Sequence, residues 1–182
     1  MFGATKTTLN TGISPVPSAL FQVLGLHEVR GFYHSPAFLS CLGIGAAFYL
    51  VLPLFVVLHP LPWHRTLSAA FFFAVVWQPI VEELLFRGCL QGVLSMCEGG
   101  QRTFVGVSIA NILTSVLFSS AHFATHPLIW AYLTFAPSLL FGILRDRSGS
   151  VSPPIAMHII YNAGYFLLTG SSSLVSNLNS RN

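Results

Sequence analysis

The sequence contains few charged side chains for its length. Only 8 of its 182 residues are Lys or Arg and 5 are Asp or Glu, together 7%, against about 25% in soluble domains. A soluble fold of this size could not cover its surface with so few charges. A basic patch of the kind that binds nucleic acid is missing as well, so we expect no nucleic-acid partner. Because 53% of the residues are hydrophobic, the composition predicts an integral membrane protein.

Several common motifs are also absent. The three cysteines, Cys41, Cys89 and Cys97, show no CxxC spacing, which favours buried apolar thiols over a disulfide or a metal site. The zinc-protease motif HExxH does not occur. No charged-then-apolar stretch begins the chain, so we expect no cleaved signal peptide.

Long apolar segments dominate the rest of the chain. A membrane-spanning helix needs about 20 apolar residues, and five segments are candidates: 36–58, 66–97, 103–124, 127–144 and 153–169. The second is too long for one simple span and should bend at Pro79. A short interfacial helix is expected over 18–28. The prediction is an all-α, polytopic membrane helix bundle of about five transmembrane helices.

The chain divides into three parts on this pattern. Residues 1–35 form a polar and interfacial N-terminal segment, 36–170 the membrane domain, and 171–182 a polar C-terminal tail. More Lys and Arg fall on one side of the five-span arrangement than on the other, which favours a cytoplasmic N-terminus. The five on that side are Lys6, Arg30, Arg102, Arg145 and Arg147, against Arg65 and Arg181.

Three charges lie together in VEELLFRG, residues 81–88. A charged side chain inside a spanning helix costs roughly 2.5–3.5 kcal/mol on insertion scales, so such residues usually have a function. Glu83 and Arg87 are four apart and share a helix face, where they can neutralise each other. Glu82 points about 100° away and lacks a local partner, which makes it the candidate general base. A charged rim at the membrane surface is the structural alternative.

A second polar group lies near the end of the third predicted span. Asn111, Ser115, Phe118 and His122 are spaced four, three and four residues apart, which places them on one helix face. A polar face on an apolar helix is directed at a cavity or a partner helix. His122 is therefore a candidate catalytic residue, with a structural hydrogen bond between helices as the alternative. His126 precedes a proline and is expected in a loop.

The last predicted span contains a third polar pair. His158 and Asn162 are four apart, so both can donate hydrogen bonds into the same space. Hydrogen bonding between helices is again the alternative. Together the three groups bring one acid, two histidines and one amide to three buried helices, a combination that packing alone would not need.

This combination suits peptide hydrolysis, which needs an activated water, a stabilised oxyanion and a proton for the leaving amine. Glu82 and His122 can activate the water, while His158 and Asn162 can donate to the oxyanion. We expect no cofactor and no metal, but a zinc site of two histidines and one glutamate stays open. Two other classes also stay open: a non-catalytic membrane binding or immunity protein, and a proton-coupled transporter, since buried Glu and His also relay protons.

The ordered motifs EExxxR, FxxxH and HxxxN resemble those of a known protein family. This is the CAAX prenyl protease 2 and bacteriocin-processing (CPBP, or abortive-infection) family of intramembrane proteases, and the resemblance covers about residues 66–169. It implies a helical membrane fold and glutamate-type proteolysis without an obligate metal. It also implies roles for six residues: Glu82 and His122 on the water, His158 and Asn162 at the oxyanion, Glu83 and Arg87 in support of Glu82.

The short N-terminal portion looks like that of a compact bacterial member of this family. The resemblance then implies a multi-pass protein of the bacterial cell membrane. It implies a membrane-associated peptide or protein substrate, cut in a C-terminal tail or precursor, whether prenylated or not. The sequence does not define an oligomeric state.

The five-span arrangement predicts a conflict in depth. His122 would lie near the outer end of its helix, whereas His158 would lie near the inner end of its own. The two could share a site only if a helix starts deeper, is broken, or has other ends than the apolar pattern indicates.

Overall fold

The computed structural model describes residues 16–170, and nearly all of the regular structure in that range is helical. The elements, in chain order, are α1 Val16–Leu24, α2 Pro36–Val51, α3 Ala69–Met96, β1 Thr103–Phe104, β2 Val107–Ser108, α4 Ile109–His122, α5 Leu128–Leu133, α6 Phe135–Ser148 and α7 Ser152–Thr169. Short 3-10 turns lie at Phe32–His34, Leu52–Leu54 and Trp63–Leu67. The predicted tail 171–182 and the first fifteen residues of the N-terminal segment lie outside the described residues.

Within residues 16–170, three helical stretches are long and apolar enough to cross a membrane: Pro36–Leu54, Ala69–Met96 and Leu128–Ser148. The last combines α5 and α6. Helix α4 is apolar but shorter. The predicted all-α membrane bundle is confirmed, while the count of about five spans stays a prediction. Of the cysteines predicted to be buried, only Cys41 is buried; Cys89 and Cys97 are exposed on the outside of the bundle.

The predicted start of the third span, 103–124, is wrong. Residues 103–108 form a hairpin in which Thr103 pairs with Ser108 and Phe104 with Val107. The two residues between the strands, Val105 and Gly106, have φ of 51° and 80°, the positive values that a tight two-residue hairpin turn requires. Helix α4 therefore begins only at Ile109 and is about 21 Å long, less than the roughly 30 Å of a bilayer core.

Helix α3 contains two π-helical segments, Phe73–Trp77 and Leu84–Leu90, on either side of the α-helical Gln78–Glu83. The backbone N–H of Gln78 donates to the Phe73 carbonyl, five residues back. The next bond of that pattern would join residue 79 to the Ala74 carbonyl, but Pro79 has no N–H. The sequence predicts a bend at Pro79; the structure shows a change of hydrogen-bond pattern there, and the Ala74 carbonyl lacks the backbone bond that residue 79 would otherwise give.

Close contacts between tyrosines and glycines join α2 to α7. The Tyr161 ring packs on Gly45, and the Tyr49 ring packs on Gly164. The Tyr161 hydroxyl donates to the Cys41 carbonyl at 2.5 Å, and the Tyr49 hydroxyl donates to the Tyr161 carbonyl. Side chains larger than hydrogen at the two glycines would keep the helices apart.

The predicted interfacial helix 18–28 corresponds to α1, which ends at Leu24. Gly25 follows with φ of 66°, the left-handed conformation that commonly ends a helix. Arg145 of α6 donates to the Val23 carbonyl at 2.7 Å, and the Val151 amide donates to the Gly25 carbonyl at 3.0 Å. These bonds attach the N-terminal helix to the end of α6.

Candidate active site

Glu83 and Arg87 form a fully buried ion pair on α3. Arg87 Nη1 lies 3.0 Å from Glu83 Oε1, and both side chains are 0% exposed. The pairing predicted from their spacing is present. A buried charge is costly unless it is paired and hydrogen-bonded, and Ser138 provides two further acceptors for Arg87.

Helices α4 and α6 enclose the Arg87 guanidinium. Nη2 donates to the carbonyl and the hydroxyl oxygen of Ser138, at 2.9 and 2.6 Å. The guanidinium carbon lies 4.7 Å from the centre of the Phe118 ring and 5.5 Å from that of Phe141, within the range of cation–π attraction. Arg87 thus joins three helices around the carboxylate that it neutralises.

His158 of α7 lies between the two glutamates. Its Nδ1 is 2.8 Å from Glu83 Oε1, and its Nε2 is 3.8 Å from Glu82 Oε2. The His158 side chain is 8% exposed, and its ring stacks on Phe141 with centroids 4.7 Å apart. Because a carboxylate only accepts, the hydrogen lies on Nδ1, and Nε2 is the atom presented to Glu82.

Glu82 has a local partner, contrary to the expectation from its position. Gln78, one turn earlier, donates from Nε2 to Glu82 Oε1 at 2.8 Å. The Glu82 side chain is 20% exposed, whereas that of Glu83 is fully buried. Gln78 holds one carboxylate oxygen and leaves Oε2 directed at His158. The four-residue spacing between Gln78 and Glu82 is the sequence signal for this contact.

His122 ends α4 beside the same aromatic ring. Its Nδ1 donates to the Phe118 carbonyl at 2.8 Å, so Nε2 is free to accept a hydrogen bond. The Phe118 ring lies 4.5 Å from the His122 ring and 6.1 Å from the His158 ring, centre to centre. The predicted conflict in depth therefore disappears, because short α4 brings His122 to the level of His158. Nevertheless His158, and not His122, is the histidine nearest to Glu82.

His126 lies in the turn between α4 and α5, as expected. Its ring centre is 5.2 Å from that of His122, and its Nδ1 is 2.8 Å from the Thr125 hydroxyl. Partial burial and the neighbouring His122 lower the pKa of His126, while the Glu82 carboxylate acts in the opposite direction. His126 is therefore close enough to the candidate site to sense its charges.

Asn162 connects α7 to the π-helical part of α3. Its Nδ2 donates to the Ala74 carbonyl at 2.9 Å, the carbonyl that Pro79 cannot satisfy. The alternative of hydrogen bonding between helices is thus present in the structure. The amide has a second hydrogen that this bond does not use, so the predicted oxyanion role stays open.

The polar face of α4 is directed at α6 rather than at an open cavity. Asn111 donates to the Leu139 carbonyl at 3.0 Å, and Ser115 donates to Asn111 Oδ1 at 3.0 Å. The last two members of this face, Phe118 and His122, reach the neighbourhood of the glutamates.

The described part of the chain has no preformed site for a metal ion. Residues 16–170 contain no group of three or more His, Cys, Asp or Glu side chains placed to hold one. The donor set at the glutamates is also engaged otherwise, because His158 Nδ1 and Arg87 share Glu83 Oε1. Independence from metal stays a prediction.

Comparison with protein-family models gives a match over the membrane domain. A family model described as Rce1-like, type II CAAX prenyl endopeptidase Rce1-like, matches residues 63–164, which is more than half of the 182 residues. The matched range contains all six predicted site residues and Gln78. No curated protein and no solved structure matches the chain significantly.

Proposed function

Because the chain belongs to the Rce1-like family of type II CAAX prenyl endopeptidases, we propose that it is an intramembrane endopeptidase in which Glu82 and His122 activate water. The family consists of proteases. Membership of this family, together with the three helices long and apolar enough to cross a membrane, indicates that the chain is an integral membrane protein. The observation that supports the mechanism best is the pair of adjacent glutamates in unequal surroundings. Glu83 is buried and bound through Oε1 to both Arg87 and His158, while the Glu82 side chain is 20% exposed.

In the proposed first step, water attacks the carbonyl carbon of the peptide bond. Glu82 Oε2 removes a proton from the water, and Gln78 fixes the other carboxylate oxygen. The free Nε2 of His122 accepts the second hydrogen of the water and orients it. A direct bond between Glu82 and His122 is not required, because one water can bridge two groups that do not touch.

His158 and Asn162 are proposed to stabilise the resulting oxyanion. His158 donates its Nδ1 hydrogen to Glu83, so it can offer a second hydrogen from Nε2 when the ring is protonated. The charges of Glu82, Glu83, Arg87 and His158 then sum to zero, which limits the cost of burying them. Asn162 contributes the hydrogen that Ala74 does not use.

The intermediate then breaks down to two products. The protonated Glu82 gives its proton to the leaving nitrogen as the carbon–nitrogen bond breaks, which regenerates the carboxylate. General acid–base catalysis of this kind contributes about 10²–10⁴-fold to the rate. We propose a membrane-associated peptide or protein as the substrate, cut in a C-terminal tail or precursor, and the bacterial cell membrane as the location.

Glu82→Gln tests this proposal, with Glu28→Gln as the matched control on the exposed Glu28–Arg30 pair. Both variants and the wild type are assayed in nanodiscs against quenched peptides with an apolar C-terminal tail, with and without a prenyl group. We expect Glu82→Gln to lower kcat by about 10²–10⁴-fold at unchanged protein level, and Glu28→Gln to have wild-type activity. Normal turnover by Glu82→Gln would refute the assignment.

The same preparations separate the other classes. A non-catalytic binding or immunity protein would keep its phenotype in Glu82→Gln and show no cleavage in the wild type. A transporter would show proton flux in proteoliposomes without proteolysis. A zinc enzyme would lose activity to a chelator and regain it with Zn²⁺, whereas we expect chelation to have no effect.

A further inference from the structure

A polar seam joins α3 to α6 and begins at the candidate active site. On α3 it consists of Glu83, Arg87 and Gln91, spaced four residues apart and at most 1% exposed. On α6 it consists of Ser138 and Gly142 at the same spacing. Arg87 donates to Ser138 at 2.6 and 2.9 Å, and Gln91 Nε2 donates to the Gly142 carbonyl at 3.1 Å.

Each α3 member of the seam has a buried polar atom that lacks a protein partner. These atoms are Glu83 Oε2, Arg87 Nε and Gln91 Oε1, three of the five such atoms in residues 16–170. The orientation of the Gln91 amide is fixed, because its Nε2 lies between two acceptors, the Gly142 carbonyl and Asp146 Oδ1. Buried polar atoms almost always have a partner, and bound water supplies it where the protein does not.

A cavity of about 530 Å³ opens at the Gln91 end of the seam. Its walls come from α1, α3, the hairpin and α6, and they are mostly polar; they include Gln22, Gln91, Ser95, Ser108, Arg145 and Asp146. Along α3, Gln91 is eight residues from Glu83, a rise of about 12 Å. The seam therefore spans the distance between a polar cavity and Glu83, the neighbour of the proposed base Glu82.

The α3 surface on either side of Glu82 is apolar. Glu82 is flanked on the α3 surface by Val81 and Leu85, which are 46% and 55% exposed. Exposed apolar side chains on a membrane-spanning helix face lipid, and lipid holds almost no water.

We propose that the polar seam binds a file of water molecules and supplies the active site with water from the cavity. This inference rests on the proposed peptidase function. Each cleavage consumes one water. Its oxygen bonds to the carbonyl carbon in the first step, and the carbon–nitrogen bond breaks in the second. One hydrogen goes to the leaving nitrogen, and the other remains on the new carboxyl group. Blocking the cavity should slow this chemical step and leave substrate binding unchanged.

The test uses a size series at Ser95, which lines the cavity and bonds only to the Gln91 carbonyl of its own helix, at 2.7 Å. Ser95→Ala, Ser95→Leu and Ser95→Trp are compared in nanodiscs. We expect kcat to fall with side-chain size, at least tenfold for Ser95→Trp, at constant KM. Ser40→Trp, on the exposed face of α2, is the matched control and should keep the wild-type kcat. Equal kcat across the series would overturn the proposal, and so would a rise in KM at constant kcat, which would make the cavity a substrate route.

A second measurement covers the case in which the larger variants do not fold. Ser95→Cys, in a background with the three natural cysteines replaced, is treated with a charged, membrane-impermeant thiol reagent. We expect Ser95→Cys to react and to lose turnover on labelling, and Leu85→Cys on the lipid side to stay unlabelled. An unreactive Ser95→Cys, or a labelled one with full turnover, contradicts the water path. If the wild type cleaves nothing, the proposed function fails instead.

Discussion

Replacing Arg87 with leucine should destabilise the whole bundle, because it leaves the Glu83 carboxylate buried without its cation. The lost contacts are the 3.0 Å ion pair and the two hydrogen bonds to Ser138. Both charged side chains are 0% exposed. A bound water could donate a hydrogen bond to Glu83, but it could not supply the positive charge of the lost guanidinium. Breaking a buried pair in this way costs about 3–5 kcal/mol.

Thermal unfolding in nanodiscs, followed by tryptophan fluorescence, measures this loss. A destabilisation of 3–5 kcal/mol corresponds to a drop in Tm of roughly 6–20 °C for a protein of this size. Arg30→Leu is the matched control, since its pair with Glu28 is 3.3 Å long but exposed by 89% and 74%. Exposed pairs of this kind often contribute nothing measurable.

The double variant Glu83→Gln/Arg87→Leu separates charge from packing. Replacing the unpaired Glu83 carboxylate by an amide should restore part of the Tm lost in Arg87→Leu, because burying an amide costs less free energy than burying a carboxylate. If Arg87→Leu unfolds at the same temperature as Arg30→Leu, the buried pair does not hold the bundle together and this reasoning is wrong.

Three further outcomes are expected. Gln78→Leu should lower kcat by about tenfold at unchanged KM, because Glu82 loses the bond that orients it; an unchanged kcat would contradict this. Gly45→Ala should lower Tm, because a methyl group there overlaps a tyrosine ring, whereas Gly43→Ala in the same helix meets nothing within 4 Å and should not. The pKa of His126 is lower in the folded protein than its usual 6.5, so the unfolded chain takes up a proton more readily, and the stability of the fold decreases as the pH falls below 6.5. The Tm of His126→Gln should therefore fall less than that of the wild type between pH 6.5 and 5.

The family and the membrane fold could be predicted from short-range patterns. The scarcity of charge and the long apolar segments were sufficient to predict a helical membrane protein. The three motifs were sufficient to predict the family, which is confirmed. The Glu83–Arg87 pair followed from a spacing of four, which brings two side chains together within a single helix. Such features depend on neighbours in the chain, so the sequence alone determines them.

Contacts between helices were not predictable in the same way. The role of Glu83 as a shared partner of Arg87 and His158 depends on how α7 packs against α3. The hairpin at 103–108 was hidden, because its residues are as apolar as those of a spanning helix. The bond from Asn162 to Ala74 depends on a π-helical register that hydropathy does not encode.

The two π-helical segments of α3 have a consequence for design. Each segment changes the rotation about the helix axis between the residues before it and those after it. The directions of the Glu82 and Glu83 side chains therefore depend on the hydrogen-bond register of the backbone as well as on their positions in the sequence. A regular helix bearing the same residues at the same spacing would point them elsewhere. Transplanting this chemistry to another scaffold would therefore require copying an irregular stretch of main chain, Pro79 included, along with the side chains.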